Sequence, residues 1–232
     1  MLQHLSSLEQ QAIQDNWSYT KFLSSLCDVE LSHRLDARLR RLLLEAQLPN
    51  GKTFTSFDFS HCPSLQPAPI LQLSLDAGWI SRAENLLLFG PSGVGKTHLA
   101  AALGRSMLEL GKRVKFFSAV ALVQFLQQAK VDLQLAQALT KLDRFDLLIV
   151  DDLGYVKKSE AETCVLFELI AHRYERKSLI VTANQPFSQW DSIFTDSVMT
   201  VAAVDRLLHH ALILEIQAES FRKFEAASRC FG

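Results

Sequence analysis

The stretch from residue 90 to 97, which reads GPSGVGKT, restricts the fold more than any other part of this 232-residue sequence. It matches G-x-x-x-x-G-K-[ST] at every fixed position and lies between a short apolar run and a helical segment. Glycines permit a tight turn whose N–H groups converge on phosphate oxygens, and the following helix directs its positive end at the same anion. The stretch therefore predicts a phosphate-binding loop in an α/β fold.

The loop also predicts which residues bind a nucleotide and its metal ion. Lys96 has the length to reach β- and γ-phosphates, and the Thr97 hydroxyl is a suitable ligand for Mg²⁺. ATP and Mg²⁺ are the expected cofactors. The competing interpretation is a chance glycine turn, and the strand before the loop and the helix after it argue against that. The predicted nucleotide-binding residues are Gly90, Pro91, Ser92, Gly93, Val94, Gly95, Lys96, Thr97 and His98.

Apolar runs alternate with helical segments from about residue 85 onward, which is typical of a parallel sheet covered by helices on both faces. A helical stretch from Ser118 to Leu142 contains a break, and Ser159 with Glu162 forms the capping box of a later helix. The five predicted strands are Leu86–Phe89, Arg113–Phe117, Phe145–Val150, Leu179–Thr182 and Ala211–Ile216.

The chain before the sheet divides into two parts. Residues 1–50 are predicted to be a small helical region, because leucines recur in it at helical spacing. Residues 51–69 form a connector to the α/β domain, which spans 70–232. Prolines at 63, 67 and 69 argue against regular structure in the second half of the connector. Its phenylalanines at 54, 57 and 59 predict that it packs onto the domain that follows.

Two adjacent acids, Asp151 and Asp152, end the third predicted strand. An acid at this position is the usual complement of a phosphate-binding loop, and Asp151 is predicted to hold Mg²⁺, mainly through its water shell. Asp152 occupies the place where many ATPases carry a glutamate that polarises the attacking water. Aspartate is one methylene shorter, and a solvated turn residue is the other interpretation of Asp152.

Two further polar residues are candidates for the chemistry of this site. Asn184 follows the fourth strand, where its amide would hold the attacking water, although Asn-Gln-Pro is also good turn chemistry. Arg206, near the end of the last helix, is either a group that reaches a nucleotide held by a neighbouring subunit or a surface arginine paired with an acid. His209 and His210 are adjacent, so a helix would point them in different directions and they are not expected to form a metal pair.

Composition excludes several classes of protein. Net charge is −1, so any nucleic-acid binding must come from a local patch. The four cysteines are scattered without a Cys-x-x-Cys pair, which argues against a structural zinc site or a disulfide framework and fits a reducing cytoplasm. No apolar run reaches membrane-spanning length, and the first residues lack the pattern of a signal peptide. We therefore expect a cytoplasmic protein with no membrane partner.

Several longer motifs resemble one family, the IstB proteins. The segments NLLLFGPSGVGKTHLAAALG, FDLLIVDDLGY, FELIAHRYER, VTANQPFSQW, AAVDRLLHHALILEI and ESFRKFEAA carry the resemblance, together with RRLLLEAQLP and KTFTSFDFS near the amino terminus. These proteins are ATP-binding helpers of bacterial insertion sequences and are related to the helicase loader DnaC. The resemblance covers nearly the whole chain.

The resemblance implies an AAA+ ATPase core of the initiator and loader clade after the helical amino-terminal region. It implies binding to duplex DNA with little sequence preference, homo-oligomers with ATP sites between subunits, and recruitment and stimulation of the element's transposase. By motif, Asp152, Asn184 and Arg206 correspond to the end of Walker B, to sensor one and to the arginine finger. Arg222 falls where the clade places a second sensor arginine, and Phe221 replaces a tyrosine common in the family, at the cost of a hydroxyl contact.

The residues that contact DNA are less sharply indicated. The clade inserts an extra helix after the second strand, so Lys130 and Lys141 are candidates, and a solvated helix surface is the other interpretation. Arg34, Arg38 and Arg41 share one helical face that would contact DNA phosphates, an acidic partner or water.

The sequence leaves two alternative functions open. The first is a DnaC-like loader whose partner is a replicative helicase. The second, in another class, is a small-molecule kinase on the same scaffold. A kinase would need a lid and an acceptor pocket, and it would not need the second acid, the asparagine and the arginine together.

Overall fold

The computed structural model describes residues 2–154, 159–186, 189–190 and 197–221. The chain forms two compact units, Met1–Leu44 and Glu45–Gly232. The division falls near the end of the second helix and six residues before the predicted boundary at residue 50. The predicted connector therefore belongs to the second unit.

The first unit is helical, as its leucine spacing predicts. It contains α1 (Leu2–Gln14) and most of α2 (Tyr19–Ala46). The Ser18 hydroxyl accepts a hydrogen bond from the Lys21 N–H at the start of α2, and the Lys21 ammonium lies 4.6 Å from the centre of the Trp17 ring. Along α2, Leu31 and Leu35 remain exposed.

The connector contains two short 3₁₀ helices, Phe54–Ser56 and Phe59–His61, and leads into α3 (Pro67–Leu75) and α4 (Gly78–Ser81). The prediction that its second half lacks regular structure is wrong, because Pro67 and Pro69 open α3. In the first turn of a helix a proline removes only an N–H that has no intrahelical acceptor, and its fixed φ suits the helix.

The second unit is built on a parallel sheet, as predicted. Within the described residues it has five strands, in the order β2-β3-β4-β1-β5. All four strand pairings are parallel, with Leu87 opposite Val181 and Ile149 opposite Ile180. The strands are β1 (Asn85–Phe89), β2 (Val114–Ser118), β3 (Leu147–Asp151), β4 (Ser178–Ala183) and β5 (Ala211–Glu215).

Helices cover both faces of this sheet. The helical stretch after β2 breaks as predicted, and the capping box of Ser159 and Glu162 forms as predicted. Leu87, Leu148 and Val181 share one buried cluster with residues of the helices on one face. On the other face Gly104 lies so close to Ile149 that an added Cβ would be 2.6 Å from Ile149 Cδ1. The helices are α5 (Lys96–Glu109), α6 (Ala119–Val131), α7 (Leu135–Leu142), α8 (Glu160–Arg173) and α9 (Ser197–Leu208).

None of the helices in the described part of the chain combines the length and hydropathy that crossing a membrane requires.

A fully buried arginine, Arg173, ties the amino-terminal edge of the sheet together. Its guanidinium donates hydrogen bonds to the carbonyls of Leu142, Phe145 and Ser178, at 3.1 to 3.2 Å. Burial lowers the pKa of Arg173 to about 10, while Asp143 and Asp146 nearby oppose that shift. The side chain is therefore still charged at neutral pH, and it satisfies the carbonyls that end α7 and begin β4.

Replacing Arg173 with methionine is expected to lower the free energy of unfolding by about 3 kcal/mol, because several buried carbonyls would lose their donor. Urea denaturation measures this change. Arg105→Met is the matched control, since Arg105 is exposed and pairs with Glu109 within the same helix, and it should change stability by less than about 0.5 kcal/mol. Equal losses in the two variants would contradict the assigned role.

Candidate nucleotide-binding site

The loop at residues 90–97 joins β1 to α5, at the carboxyl edge of the sheet. Gly95 precedes α5 in the left-handed region (φ +98°), and an added Cβ would lie 2.9 Å from Phe57 Cε2. At Gly93 (φ +86°) an added Cβ would lie 2.3 Å from Ser220 Oγ. Glycine is therefore required here both for backbone conformation and for the close approach of neighbouring side chains.

Lys96 lies at the centre of the site and is almost completely buried (4% exposed). Its ammonium donates to the carbonyls of Gly90 and Pro91, each at 2.8 Å, and to Asn184 Oδ1 at 2.7 Å. The structure thus brings together Asn184, which follows β4, and the lysine of the loop. A buried cation facing the turn of a glycine loop is well placed for an anion.

Asp151 ends β3 and is buried beside the loop. Thr97 Oγ1 donates to its Oδ2 at 3.0 Å, and Thr182 Oγ1 donates to its Oδ1 at 2.6 Å. Burial raises the pKa of Asp151, and Asp152 adds to that rise, whereas the two hydroxyl donors and Lys96 act in the opposite direction. Thr97 and Asp151 are the predicted metal ligands, and they are in direct contact.

The backbone at Asp152 turns sharply, in the left-handed region (φ +60°). Its N–H donates to Thr182 Oγ1 at 2.9 Å, and its side chain is exposed and lines a cavity beside the loop. Thr182 therefore accepts a hydrogen bond from one acid of the pair and donates one to the other. The sequence does not mark Thr182 as a site residue, apart from its place at the end of a predicted strand, two residues before Asn184.

A cavity of about 710 Å³ opens beside the loop, a size that suits a nucleotide. The loop, Asp152 and Asn184 supply part of its wall. The connector and the segment after β5 supply most of the rest, and the sequence patterns did not predict this. Lining residues from these two segments include Ser56, Phe57, His61, Cys62, Glu219 and Phe221.

His98, in the first turn of α5, contacts the connector through three of its residues. Its Nε2 lies 2.9 Å from the Thr53 carbonyl and 3.2 Å from Ser56 Oγ, and the Phe57 ring meets it edge-on at 5.2 Å. Burial lowers the pKa of His98. The prediction that the connector phenylalanines pack onto the following domain is confirmed for Phe57. His98 lines the cavity and also holds the segment that forms its opposite wall.

The segment after β5 runs along the other side of the loop. Backbone hydrogen bonds join Ile216 N to Phe89 O at 2.7 Å and Phe221 N to Gly93 O at 3.0 Å. The Phe221 ring meets His61 edge-on at 5.2 Å, so the segment after β5 and the connector are in contact across the cavity. Arg222, the next predicted site residue, lies outside the described residues.

Arg206 is in the last turn of α9 and partly buried. Its guanidinium lies over the Phe167 ring, 5.1 Å from the ring centre, and donates to the Ala202 carbonyl at 3.2 Å. Among the described residues, those that line the cavity do not include Arg206. The structure of one chain therefore does not bring Arg206 to the other predicted site residues.

The five candidate DNA contacts are all exposed but differ in their surroundings. Lys130, at the end of α6, lies 2.9 Å from Cys164 Sγ and 3.5 Å from Glu168 on α8. Lys141 is in the last turn of α7. On α2, Arg34 pairs with Glu30 at 2.8 Å. Arg38 and Arg41 are on the same helix.

Fold and site together define a nucleotide-binding protein with the P-loop fold. The chain belongs to the family described as IstB-like ATP binding protein, which matches residues 1–228.

Relatives confirm the family. A putative insertion sequence ATP-binding protein of Sinorhizobium fredii is 50% identical over 217 residues, which cover 94% of this chain and 73% of that protein. The insertion sequence IS21 putative ATP-binding protein of Pseudomonas aeruginosa is 37% identical over 219 residues, covering 94% of this chain and 82% of the relative.

Solved structures confirm the fold. AMPPCP-bound DnaA from Aquifex aeolicus superposes with a TM-score of 0.61 at 19% identity, over 80% of this chain and 56% of that chain. The DnaC helicase loader superposes with a TM-score of 0.55 at 21% identity, over 66% of this chain and 90% of that chain. At these identities the similarity is one of fold.

Thr182→Val is expected to lower the free energy of unfolding by about 2 kcal/mol, because Asp151 Oδ1 and the Asp152 N–H would both lose a buried partner. Thr182→Ser keeps the hydroxyl and loses one buried methyl group, which costs about 1 kcal/mol. Urea denaturation compares the two. If valine is tolerated as well as serine, the hydroxyl does not hold the acidic pair.

Proposed function

We propose that this protein is an ATPase that assembles on duplex DNA and recruits and stimulates the transposase of its insertion sequence. The observation that carries the proposal is the meeting of Lys96, Asn184 and the Thr97–Asp151 pair at one edge of the sheet, beside a cavity of nucleotide size. Membership in a family of ATP-binding proteins supports the choice of nucleotide.

The triphosphate of ATP would lie against the loop, where Lys96 would exchange the carbonyls of Gly90 and Pro91 for β- and γ-phosphate oxygens. Phe57, His61 and Phe221 line the same cavity and offer flat ring surfaces for the base. The connector and the segment after β5 would thus hold the nucleoside while the loop holds the phosphates.

The donor set beside the loop fits Mg²⁺. A hydroxyl and a carboxylate, Thr97 Oγ1 and Asp151 Oδ2, are 3.0 Å apart, and hard oxygen ligands are what this ion prefers. When bound, Mg²⁺ would neutralise charge on the phosphates during transfer. Thr182 would keep the Asp151 carboxylate oriented towards Thr97.

Hydrolysis requires a group that orients and polarises water. Asp152 is exposed at the cavity and its backbone is held by Thr182, which supports this role for its carboxylate. Asn184 would hold the same water from the neighbouring strand end. The aspartate side chain is shorter than that of glutamate, so we expect slow turnover. Slow hydrolysis suits a protein in which ATP controls the timing of assembly on DNA.

The arginine needed to stabilise transition-state charge would come from a neighbouring subunit. Arg206 lies away from the cavity of its own chain, over the Phe167 ring, which leaves it available to a second chain. This placement supports our proposal of homo-oligomers with ATP sites between subunits. Assembly would also combine many weak DNA contacts. A chain of net charge −1 needs this combination to bind DNA tightly.

We propose duplex DNA and a transposase as partners, and membership in the family supports both choices. The DNA contacts we propose are the exposed lysines and arginines described above, with Lys141 placed best, since Lys130 also contacts α8. A transposase partner is supported by relatives that are named as insertion sequence proteins. A helicase-loader function is the second candidate, because the described core superposes on the DnaC loader.

Phosphate release with and without duplex DNA tests the function as a whole. Release that duplex DNA stimulates, without any small-molecule acceptor, supports the proposal and excludes a kinase. Capture of purified transposase from the same element, against a replicative helicase, separates the helper function from the loader function. DNA-independent release together with helicase capture would reject our proposal.

Asp152→Asn is expected to slow phosphate release by about 10² or more while leaving ATP binding intact, because the amide cannot accept a proton from water. The variant should accumulate as an ATP-bound oligomer on DNA. Lys96→Ala is the contrasting variant and should lose ATP binding itself. Hydrolysis by Asp152→Asn at the wild-type rate would mean that Asp152 is a turn residue.

Arg206→Ala is expected to bind ATP normally but to hydrolyse it about 10³-fold more slowly, as loss of an arginine finger does. Mixing this variant with Asp152→Asn should restore part of the activity, because some interfaces then combine an intact Asp152 with an intact Arg206. Full turnover by a monomeric Arg206→Ala protein would rule out action between subunits.

A further inference from the structure

A second cluster of polar side chains lies at the opposite edge of the sheet from the phosphate-binding loop. Two turns form it. One follows α8 and contains Tyr174 and Glu175, and the other joins α9 to β5 and contains His209 and His210. Since β4 and β5 start just after these turns, the cluster marks the amino-terminal edge, away from the residues assigned to ATP.

A buried asparagine connects the elements next to the two turns. Asn85, at the start of β1, donates from Nδ2 to the Leu207 carbonyl at 3.2 Å and accepts from the Leu179 N–H at 2.9 Å. Its own N–H donates to the His210 carbonyl at 3.3 Å. The end of α9 and the start of β4 are therefore tied to the same residue, so the positions of the side chains they carry are set by the core.

The structure corrects the expectation that His209 and His210 diverge. That expectation assumed a continuous helix, but α9 ends at Leu208 and His210 adopts the left-handed conformation (φ +61°). The backbone reversal brings the two imidazole rings to a centre-to-centre distance of 3.8 Å. Adjacent histidines can therefore offer nitrogens to one common point.

Glu175 completes the cluster from the other turn. Its carboxylate Oε1 is 3.6 Å from His209 Nδ1. One donor atom from each of Glu175, His209 and His210 lies within 4.8 Å of the other two, and all three side chains are exposed. Small side-chain rotations would bring these atoms to the spacing of a single coordination sphere, and an ion can reach them from solvent.

Tyr174 orients one of the imidazoles. Its hydroxyl lies 2.6 Å from His209 Nδ1, and its ring stacks on the imidazole at 5.7 Å. If His209 binds a metal ion through Nε2, its Nδ1–H would donate to this hydroxyl, which is the outer partner that metal-bound histidines usually have. The cluster thus has three candidate ligands, one outer partner, and a buried support in Asn85.

We propose that Glu175, His209 and His210 bind a divalent transition-metal ion, with Zn²⁺ as the best match. Two imidazole nitrogens and one carboxylate oxygen are a common ligand set for zinc, with a fourth position left to water. Mg²⁺ and Ca²⁺ prefer all-oxygen ligands, so this cluster should discriminate against the ion expected at the ATP site. The bound ion would link the turn after α8 to the turn after α9. His209, one of its ligands, lies three residues after Arg206.

The test uses the full chain, produced without a histidine tag and freed of metal with a chelator. Zn²⁺ is titrated by calorimetry in excess Mg²⁺, and Co²⁺ is titrated separately by visible absorption. We expect one equivalent of Zn²⁺ to bind in the presence of Mg²⁺, with a rise in melting temperature. Co²⁺ should develop the absorption bands of a nitrogen- and oxygen-ligated ion.

His209→Ala, His210→Ala and Glu175→Gln should each weaken Zn²⁺ binding at least tenfold and reduce the Co²⁺ bands. His33→Ala is the matched control, since His33 is an exposed histidine of α2 outside the cluster, and it should bind like the wild type. Glu175→Gln replaces one exposed carboxylate oxygen with an amide NH₂ group, so it remains informative if a histidine variant misfolds. Zn²⁺ affinity that is unchanged in all three cluster variants, or equally reduced in His33→Ala, would overturn the proposal.

Discussion

The buried carboxylate of Asp151, held by hydroxyls from two other segments, is the interaction around which the phosphate-binding edge is built. Thr97 donates to one oxygen from the start of α5, and Thr182 donates to the other from the end of β4. Burial raises the pKa of this carboxyl, so the ionised group depends on those donors and on Lys96 nearby. One side chain thereby joins the loop, β3 and β4 at a common point.

Strand order explains why these groups can meet. The sheet places β4 between β3 and β1, so the carboxyl ends of three adjacent parallel strands carry Asp151, Thr182 and the glycine loop. Asn184, two residues further along the β4 segment, then reaches the ammonium of Lys96. The residues that we assign to phosphate and metal binding need no long loop to bring them together, because the carboxyl ends of adjacent strands place them side by side.

The walls of the cavity come from segments far from the loop in the sequence. Phe57 of the connector approaches Gly95, and Ser220 after β5 approaches Gly93, so each glycine accommodates a neighbour as well as a turn. His61 and Phe221 meet across the opening. Arg206 remains outside this enclosure, which is why the proposed chemistry calls for a second subunit.

Local patterns in the sequence determined the five strands, the capped helix after the acidic pair, the phosphate-binding loop and Asp151, because periodicity and fixed motif spacing act over short distances. They also indicated the family, through motifs spread over nearly the whole chain. Tertiary structure alone decided that Pro67 and Pro69 open a helix, that Thr182 holds both acids, and that the connector walls the cavity. It also decided that His209 and His210 converge. Each of these depends on which distant segment packs alongside or on where a helix stops, and no pattern of neighbouring residues encodes that.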